Sequence, residues 1–445
     1  MPAVHAHENA PVTEMARTFT ASTGIRQAHR SSRPGSFLAK CDIGDILLLA
    51  DWGTMTDSPT TSRTITHPDR KEIARYLLAR GLDPVTATID PARALIDLGH
   101  EHTIAFPDGL TPTPAPISPA PGEDDPLPVA DVVVITWTVD EVAGLAHVLT
   151  PTVSPDRWHK YSRGFDNYKP RIRPHAPAAQ AGRLGSYLPT QIGTKRVLCM
   201  KSELHLNQDG VKTGDGTATL PVKDFFIQII AEAKPALILT IGTAGSVYEN
   251  FGLGDVVVSR AAKFRCQNEF RNEPFNGQSY HSDWVLPTDR LRDAERLMHT
   301  LSSEIVEPPF APPTKRFRYR GDPITTPGNR PQIRLDGRDM PQFHPILTTD
   351  YFEYGTSANR LDREGAAVEM GDAALGLACA ELASPPDWAA VRNMSDPTIN
   401  GDLPAKEYPL NEQTTWAVGY YTAYGRWTST LGALATWGLI AGLPD

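Results

Sequence analysis

The sequence predicts an α/β protein: a mainly parallel central sheet flanked by helices, with a small N-terminal αβ module and long insertions. Three observations carry this. Near-continuous apolar runs, such as Asp131 to Trp137 and Ala236 to Ile241, read as strands buried on both faces. They alternate with stretches of helical periodicity, as at Asp140 to Leu149 and Lys223 to Ala233. Two late runs, Ala366 to Met370 and Trp388 to Asp396, end in carboxylates, Glu369 and Asp396. Open α/β sheets bind ligands just beyond the carboxyl ends of their strands, so these two side chains are expected to face one crevice from neighbouring strands.

Taken in order, residues 1–35 are polar and without periodicity, and read as a disordered tail. Residues 36–106 hold a strand at Ile46 to Ala50, a helix from Arg70 to Arg80 stopped by Gly81, and a short helix at Pro91 to Leu98. Prolines crowd residues 107–128, which reads as a semi-rigid linker. The main domain is expected over 129–445. Its further strands are Arg196 to Met200 and Asp255 to Ser259, and its later helices Asp372 to Leu382, Thr415 to Tyr424 and Leu431 to Gly442. Residues 151–190 and 263–345, rich in Pro, Arg, Asn and Tyr, read as insertions on the ligand-binding edge rather than core.

Composition narrows the function. A chain of 445 residues exceeds one ordinary core. The net charge of -9 argues against nucleic acid as a partner. Cys41, Cys199, Cys266 and Cys379 are scattered, and no Cys/His cluster has zinc spacing, so neither metal nor cofactor is expected. Sparse thiols and an N-terminus without signal-peptide layout point to the cytoplasm. The apolar run Leu431 to Leu443 is too short to span a bilayer, so no membrane is expected.

Several residues are placed for chemistry. Gly242, Thr243, Ala244 and Gly245 follow an apolar strand, where glycines let a ligand approach the backbone. The segment is neither a Walker loop nor GxGxxG, and a plain turn is the alternative. Glu369 and Asp396 suit a proton donor beside a sugar-binding carboxylate; a helix cap or ion pair is the other reading. Ser395 has no Gly-x-Ser-x-Gly elbow around it, which argues against a nucleophile.

The chain thus reads, in order, Thr138-Val139-Asp140-Glu141-Val142, Gly242-Thr243-Ala244-Gly245, Val368-Glu369-Met370 and Arg392-Asn393-Met394-Ser395-Asp396. With these four segments at strand ends, residues 129–260 and 345–443 resemble the purine nucleoside phosphorylase superfamily, and within it the methylthioadenosine/adenosylhomocysteine nucleosidases. The resemblance implies that Asp396 protonates N7 of a departing purine and that Ser395 orients it. Glu369 and the Met370 backbone would hold the sugar. Phe352, in Thr348-Thr349-Asp350-Tyr351-Phe352-Glu353, would stack on the base, or else sit in the core. The chemistry explains the need: a purine anion leaves poorly unless a carboxyl of raised pKa supplies a proton, and negative charge stabilises the oxocarbenium-like sugar.

Glu141 matches the water-activating Glu of the nucleosidases, at a turn where phosphorylases carry a phosphate-binding Arg. A carboxylate there repels phosphate and favours hydrolysis. An acidic helix N-terminus is the alternative. The chain departs from the family at Gly371, where a second Glu normally holds the ribose hydroxyls; Asp372 substitutes only if the backbone shifts. A 2′-deoxy or otherwise modified sugar would follow. Arg157, Lys160, Arg163, Lys169, Arg171 and Arg173 form one basic run, and Lys315, Arg316, Arg318 and Arg320 another. Arg171 and Arg173 are candidate holders of a substrate phosphate, with a solvated loop as the alternative. The expected protein is an N-glycosyl hydrolase of a purine nucleoside or nucleotide. By the family's habit it is expected to be a homodimer. A phosphorylase and a catalytically silent purine sensor are the rivals.

Overall fold

Val132, Val133, Val134, Ile135 and Thr136 are all buried, because their strand is covered on both faces. The computed structural model describes residues 103–304, 330–402 and 412–444, with short backbone pieces at 82–83, 88–89, 318–319 and 322–323 and residue 405. The tail 1–35, the strand and helices expected over 36–102, and the side chains of Lys315, Arg316, Arg318 and Arg320 lie outside the described residues.

The first strands and helix are β1 (Thr113–Pro114), β2 (Val132–Thr136), α1 (Val139–Leu149), β3 (His159–Tyr161), β4 (Gly185–Ile192) and β5 (Lys195–Ser202). There follow α2 (Pro221–Ala233), β6 (Leu237–Ser246), β7 (Val256–Ser259), β8 (Ala261–Phe264), β9 (Ser279–His281) and α3 (Leu291–Glu304). The chain continues through β10 (Ile333–Leu335), β11 (Ile346–Thr348), β12 (Ala367–Glu369), α4 (Asp372–Ala380), β13 (Asp387–Asp396) and α5 (Glu412–Ala441).

These strands form one 13-stranded sheet. Its centre is parallel: β2 lies between β5 and β6, and β13 runs beside β6. Antiparallel pairs join it through β4 on β5, β1 and β3 on β4, β13 on β7, and β12 on β6, while β11 runs parallel to β8 and β12, and β10 parallel to β7. The sheet is therefore mixed rather than mainly parallel. Short strands such as β1, β3 and β9 carry too few residues for periodicity to reveal them.

Helices cover both faces. On one, α1, α3 and α5 bury Leu145, Leu149, Leu297, Leu434 and Trp437 against the sheet. On the other, α2 and α4 bury Phe225, Phe226, Ile229, Leu375 and Ala378. The two C-terminal helices expected from the sequence are one helix of 30 residues. Gly425 and the Thr428-Ser429-Thr430 run suggest a break, yet the segment is buried and both of its threonine hydroxyls find backbone acceptors. Thr428 Oγ1 donates to Gly425 O at 3.1 Å and Thr430 Oγ1 to Arg426 O at 3.0 Å. Among the described residues, no helix is long and apolar enough to cross a membrane.

Residues 151–190 and 263–345 are not merely insertions on an edge. Trp158, Tyr161 and Leu188 are buried, as are Leu291, Met298, Ile333 and Leu335, and both segments contribute sheet strands. Residues 107–128 lie along the sheet: β1 pairs with β4, and Trp437 Nε1 donates to Leu110 O at 2.8 Å.

Helices α1 and α5 cross at Gly144, where an added Cβ would stand 2.7 Å from the backbone of Ser429 and Thr430. Gly144→Ala should therefore destabilise the protein by about 1–3 kcal/mol through overpacking, despite alanine's better helix propensity. Thermal unfolding reads this directly; an unchanged Tm would disprove so close a crossing.

Candidate active site

At the carboxyl ends of β2, β5, β6 and β13 the sheet opens into a cleft of about 900 Å³, counting its open mouth. Trp137, Thr138 and Glu141 enter from the β2–α1 turn, and Thr243, Ala244 and Gly245 from β6. Val368, Glu369 and Met370 line it from β12, and Arg392, Ser395 and Asp396 from β13. Phe352, Thr349 and Glu353 close the side after β11.

Glu369 and Asp396 do share this cleft, but not from neighbouring strands. Val368 and Asp396 both register with Gly245 of β6, so β12 and β13 flank β6 on opposite edges.

Asp396 is 5% exposed. Its Oδ1 accepts from Ser395 Oγ at 3.0 Å, while Oδ2 has no hydrogen-bond partner among the described residues. Burial pushes its pKa up to about 7, and the Ser395 hydroxyl only partly opposes this. Gly245 leaves the room: a Cβ there would stand 3.0 Å from Asp396 Oδ2.

Glu369 is 7% exposed. Its Oε1 accepts from Thr348 Oγ1 at 2.5 Å and from Asp372 N at 3.0 Å. Oε2 lies 3.1 Å from Arg392 Nη2. Burial, and then the Asp372 charge, raise its pKa to about 7 against the pull of Arg392 and Thr348.

Glu141 is differently placed. Its Oε2 accepts from Thr136 Oγ1, Trp137 N and Thr138 N at 3.1, 3.1 and 2.9 Å. Its Oε1 accepts from Thr243 N and Oγ1 at 2.8 and 2.9 Å. Burial alone would raise its pKa, but Arg392 and the Thr138 and Thr243 N–H groups outweigh it and hold the carboxylate below its ordinary value. Thr138 and Glu141 also form a reciprocal capping box at the start of α1. Both the acidic-terminus reading and a place in the cleft therefore hold, with the carboxylate's acceptor positions already filled.

Arg392 ties these groups together, and the sequence reading assigned it no role. It is 2% exposed, donates from Nε to Asp372 Oδ2 at 2.8 Å and from Nη2 to Asp372 Oδ1, and lies 5.2 Å over the Trp137 ring. Burial opposes its charge, but Asp372, Glu369 and Glu141 together raise its pKa. The signal was present: an arginine inside an apolar strand cannot be buried without carboxylate partners. Gly242 does not line the cleft; a Cβ on it would stand 2.3 Å from Arg392 Nη1 and 2.6 Å from Glu141 Oε1. The glycine leaves room for both side chains beside β6. Asp372 is fully buried and turned to Arg392, away from the cleft.

Arg171 and Arg173 do not reach the site. Arg171 pairs with Asp224, and Arg173 with Glu269 at 2.9 Å and Gly210 O at 2.6 Å. Each cation is matched by a carboxylate far away in sequence, and neither lines the cleft. Phe352 does reach the cleft. Its loop is fixed by Asp350, which accepts from the backbone N–H groups of Gln267, Asn268 and Phe270 at 2.8, 3.0 and 3.0 Å. His205, Asn207, Gln208 and Tyr421 also line the cleft, without a motif to announce them. Among the described residues, no three His, Cys, Asp or Glu side chains are grouped to hold a metal ion.

Comparison with solved structures aligns the chain with a 5′-methylthioadenosine/S-adenosylhomocysteine nucleosidase from Neisseria meningitidis at 13% identity, covering 70% of this chain and 100% of that one, TM-score 0.38. Futalosine hydrolase of Helicobacter pylori aligns at 12% identity over 70% and 97% of the two chains, TM-score 0.39. An S-adenosylhomocysteine nucleosidase from Streptococcus pyogenes aligns at 14% identity over 72% and 99%, TM-score 0.40. No curated protein matches the sequence. The family model of the phosphorylase superfamily matches residues 211–414 of the chain.

Proposed function

We propose that the protein cleaves the N-glycosidic bond of a purine nucleoside by hydrolysis. The observation that carries this is Asp396: a buried carboxyl with one unpartnered oxygen, lining the cleft and held near pH 7. Such a group can be protonated at neutral pH and give its proton to the leaving base. Phe352 offers an aromatic face to that base.

The reaction balances with two carboxyls. The Asp396 proton goes to the base nitrogen as the C1′–N bond breaks. Water adds to C1′ and its proton returns through solvent to Asp396, while the charge of ionised Glu369 stabilises the oxocarbenium-like sugar beforehand. Glu141 is then a positioning residue: with five hydrogen bonds accepted, it anchors Thr243 and the turn from Thr136 to Thr138 rather than taking a proton.

Water is favoured over phosphate as the nucleophile because the cleft is acidic. Arg392, the arginine lining it among the described residues, is already held by Asp372 and Glu369. The test is chromatographic detection of free base from purine nucleosides, with and without inorganic phosphate. Release without phosphate, giving free sugar, is expected. Release only with phosphate would replace the proposal by a phosphorylase, and tight binding without any release would point to a sensor.

A further inference from the structure

The sugar side of the cleft is not built to hold a vicinal diol. Acidic side chains hold ribose hydroxyls through carboxylate oxygens free to accept. The wall formed by β12 and the start of α4 has two carboxylates, and both are engaged. Asp372 is fully buried with both oxygens on Arg392. Glu369 Oε1 is taken by Thr348 Oγ1 and Asp372 N. That leaves Glu369 Oε2, itself 3.1 Å from Arg392 Nη2. The Thr349 hydroxyl is turned to Tyr351 O at 2.7 Å and Glu369 O at 3.2 Å.

Between the carboxylates stands Gly371. A Cβ placed there would be 3.2 Å from Trp137 Cζ2 and 3.5 Å from Glu369 Oε2. The indole edge thus covers the ground beside the one remaining oxygen. Its own position is fixed by Arg392 stacked 5.2 Å over the ring and by Phe226 edge-on at 6.4 Å. Oε2 offers room for one sugar hydroxyl. A second, on the neighbouring carbon, would leave water for an aromatic carbon surface.

We infer that Trp137 and Gly371 make this pocket selective for 2′-deoxynucleosides, whose sugar lacks the vicinal diol. This rests on the nucleosidase reading and names its substrate class. Apolar walls reject an added hydroxyl by about 10²-fold at most, which sets the scale expected.

Deoxy glycosidic bonds are intrinsically more labile, so rates alone would not separate recognition from reactivity. Binding to Asp396→Asn does. Calorimetry with 2′-deoxyadenosine and adenosine, and with the guanine pair, should give a Kd about 10- to 100-fold lower for the deoxy form. In the same background, Gly371→Glu supplies a carboxylate and should shrink or invert that ratio. Trp137→Leu, which opens the wall to water, should shrink it independently if the first variant folds poorly. Equal affinity, or tighter binding of the ribonucleoside, overturns the inference while leaving the nucleosidase reading intact. Binding of neither form overturns both.

Discussion

Asp396→Asn should lower the rate of base release by about 10²–10⁴-fold while changing substrate Kd only a few-fold, because Asn keeps the shape but carries no transferable proton. Comparing single-turnover rates with calorimetric affinities checks this, and an active variant would remove Asp396 from the role of acid. The same substitution has a signature in stability. The carboxyl's folded pKa, about 7, lies above its ordinary value of 3.8, so the native state binds this proton more tightly than the unfolded chain. The wild type is therefore fully stabilised by the bound proton below pH 4 and loses that contribution as pH rises to 7. Asn cannot ionise, so the variant's Tm should gain on the wild type across that window. A difference in Tm independent of pH would mean that Asp396 is ionised throughout.

Arg392→Met should be the most destabilising substitution in the site. It strands Asp372, which is fully buried, together with Glu369 and the Arg392-facing side of Glu141. Removing one member of a buried ion cluster costs about 3–5 kcal/mol, because the remaining charge is left without compensation. Urea unfolding measures the loss. Adding Asp372→Asn to Arg392→Met should recover part of it, since the orphaned charge then disappears; strict additivity would show that the two side chains do not interact.

Sequence and structure agree best where a local rule governs. The strand-end carboxylates were legible because each apolar run stops abruptly at one, Glu369 or Asp396; that Glu369 also caps α4 and pairs with Arg392 was the other reading, and it holds as well. Glu141 at the head of α1 was legible as an acidic helix N-terminus. Its saturation by Thr243 was not, since that partner comes from another strand. Arg171 and Arg173 were misread for the same reason. A basic run shows its charge but not Asp224 and Glu269, which neutralise it from elsewhere in the fold. The continuity of α5 was hidden because Gly425 and the hydroxyl-rich turn oppose a helix locally, and only burial against the sheet overrides them.

The placement of Glu369 and Asp396 on opposite edges of β6 has a geometric consequence. Adjacent strands lie about 4.8 Å apart, so the two strand axes are about 10 Å from each other. That span is set by backbone ladders, not by a loop able to breathe. Acid and sugar-facing carboxylate behave as two fixed jaws, with the glycine-bearing strand as the bed of the vice. Changes of substrate must be absorbed lengthwise, along that bed.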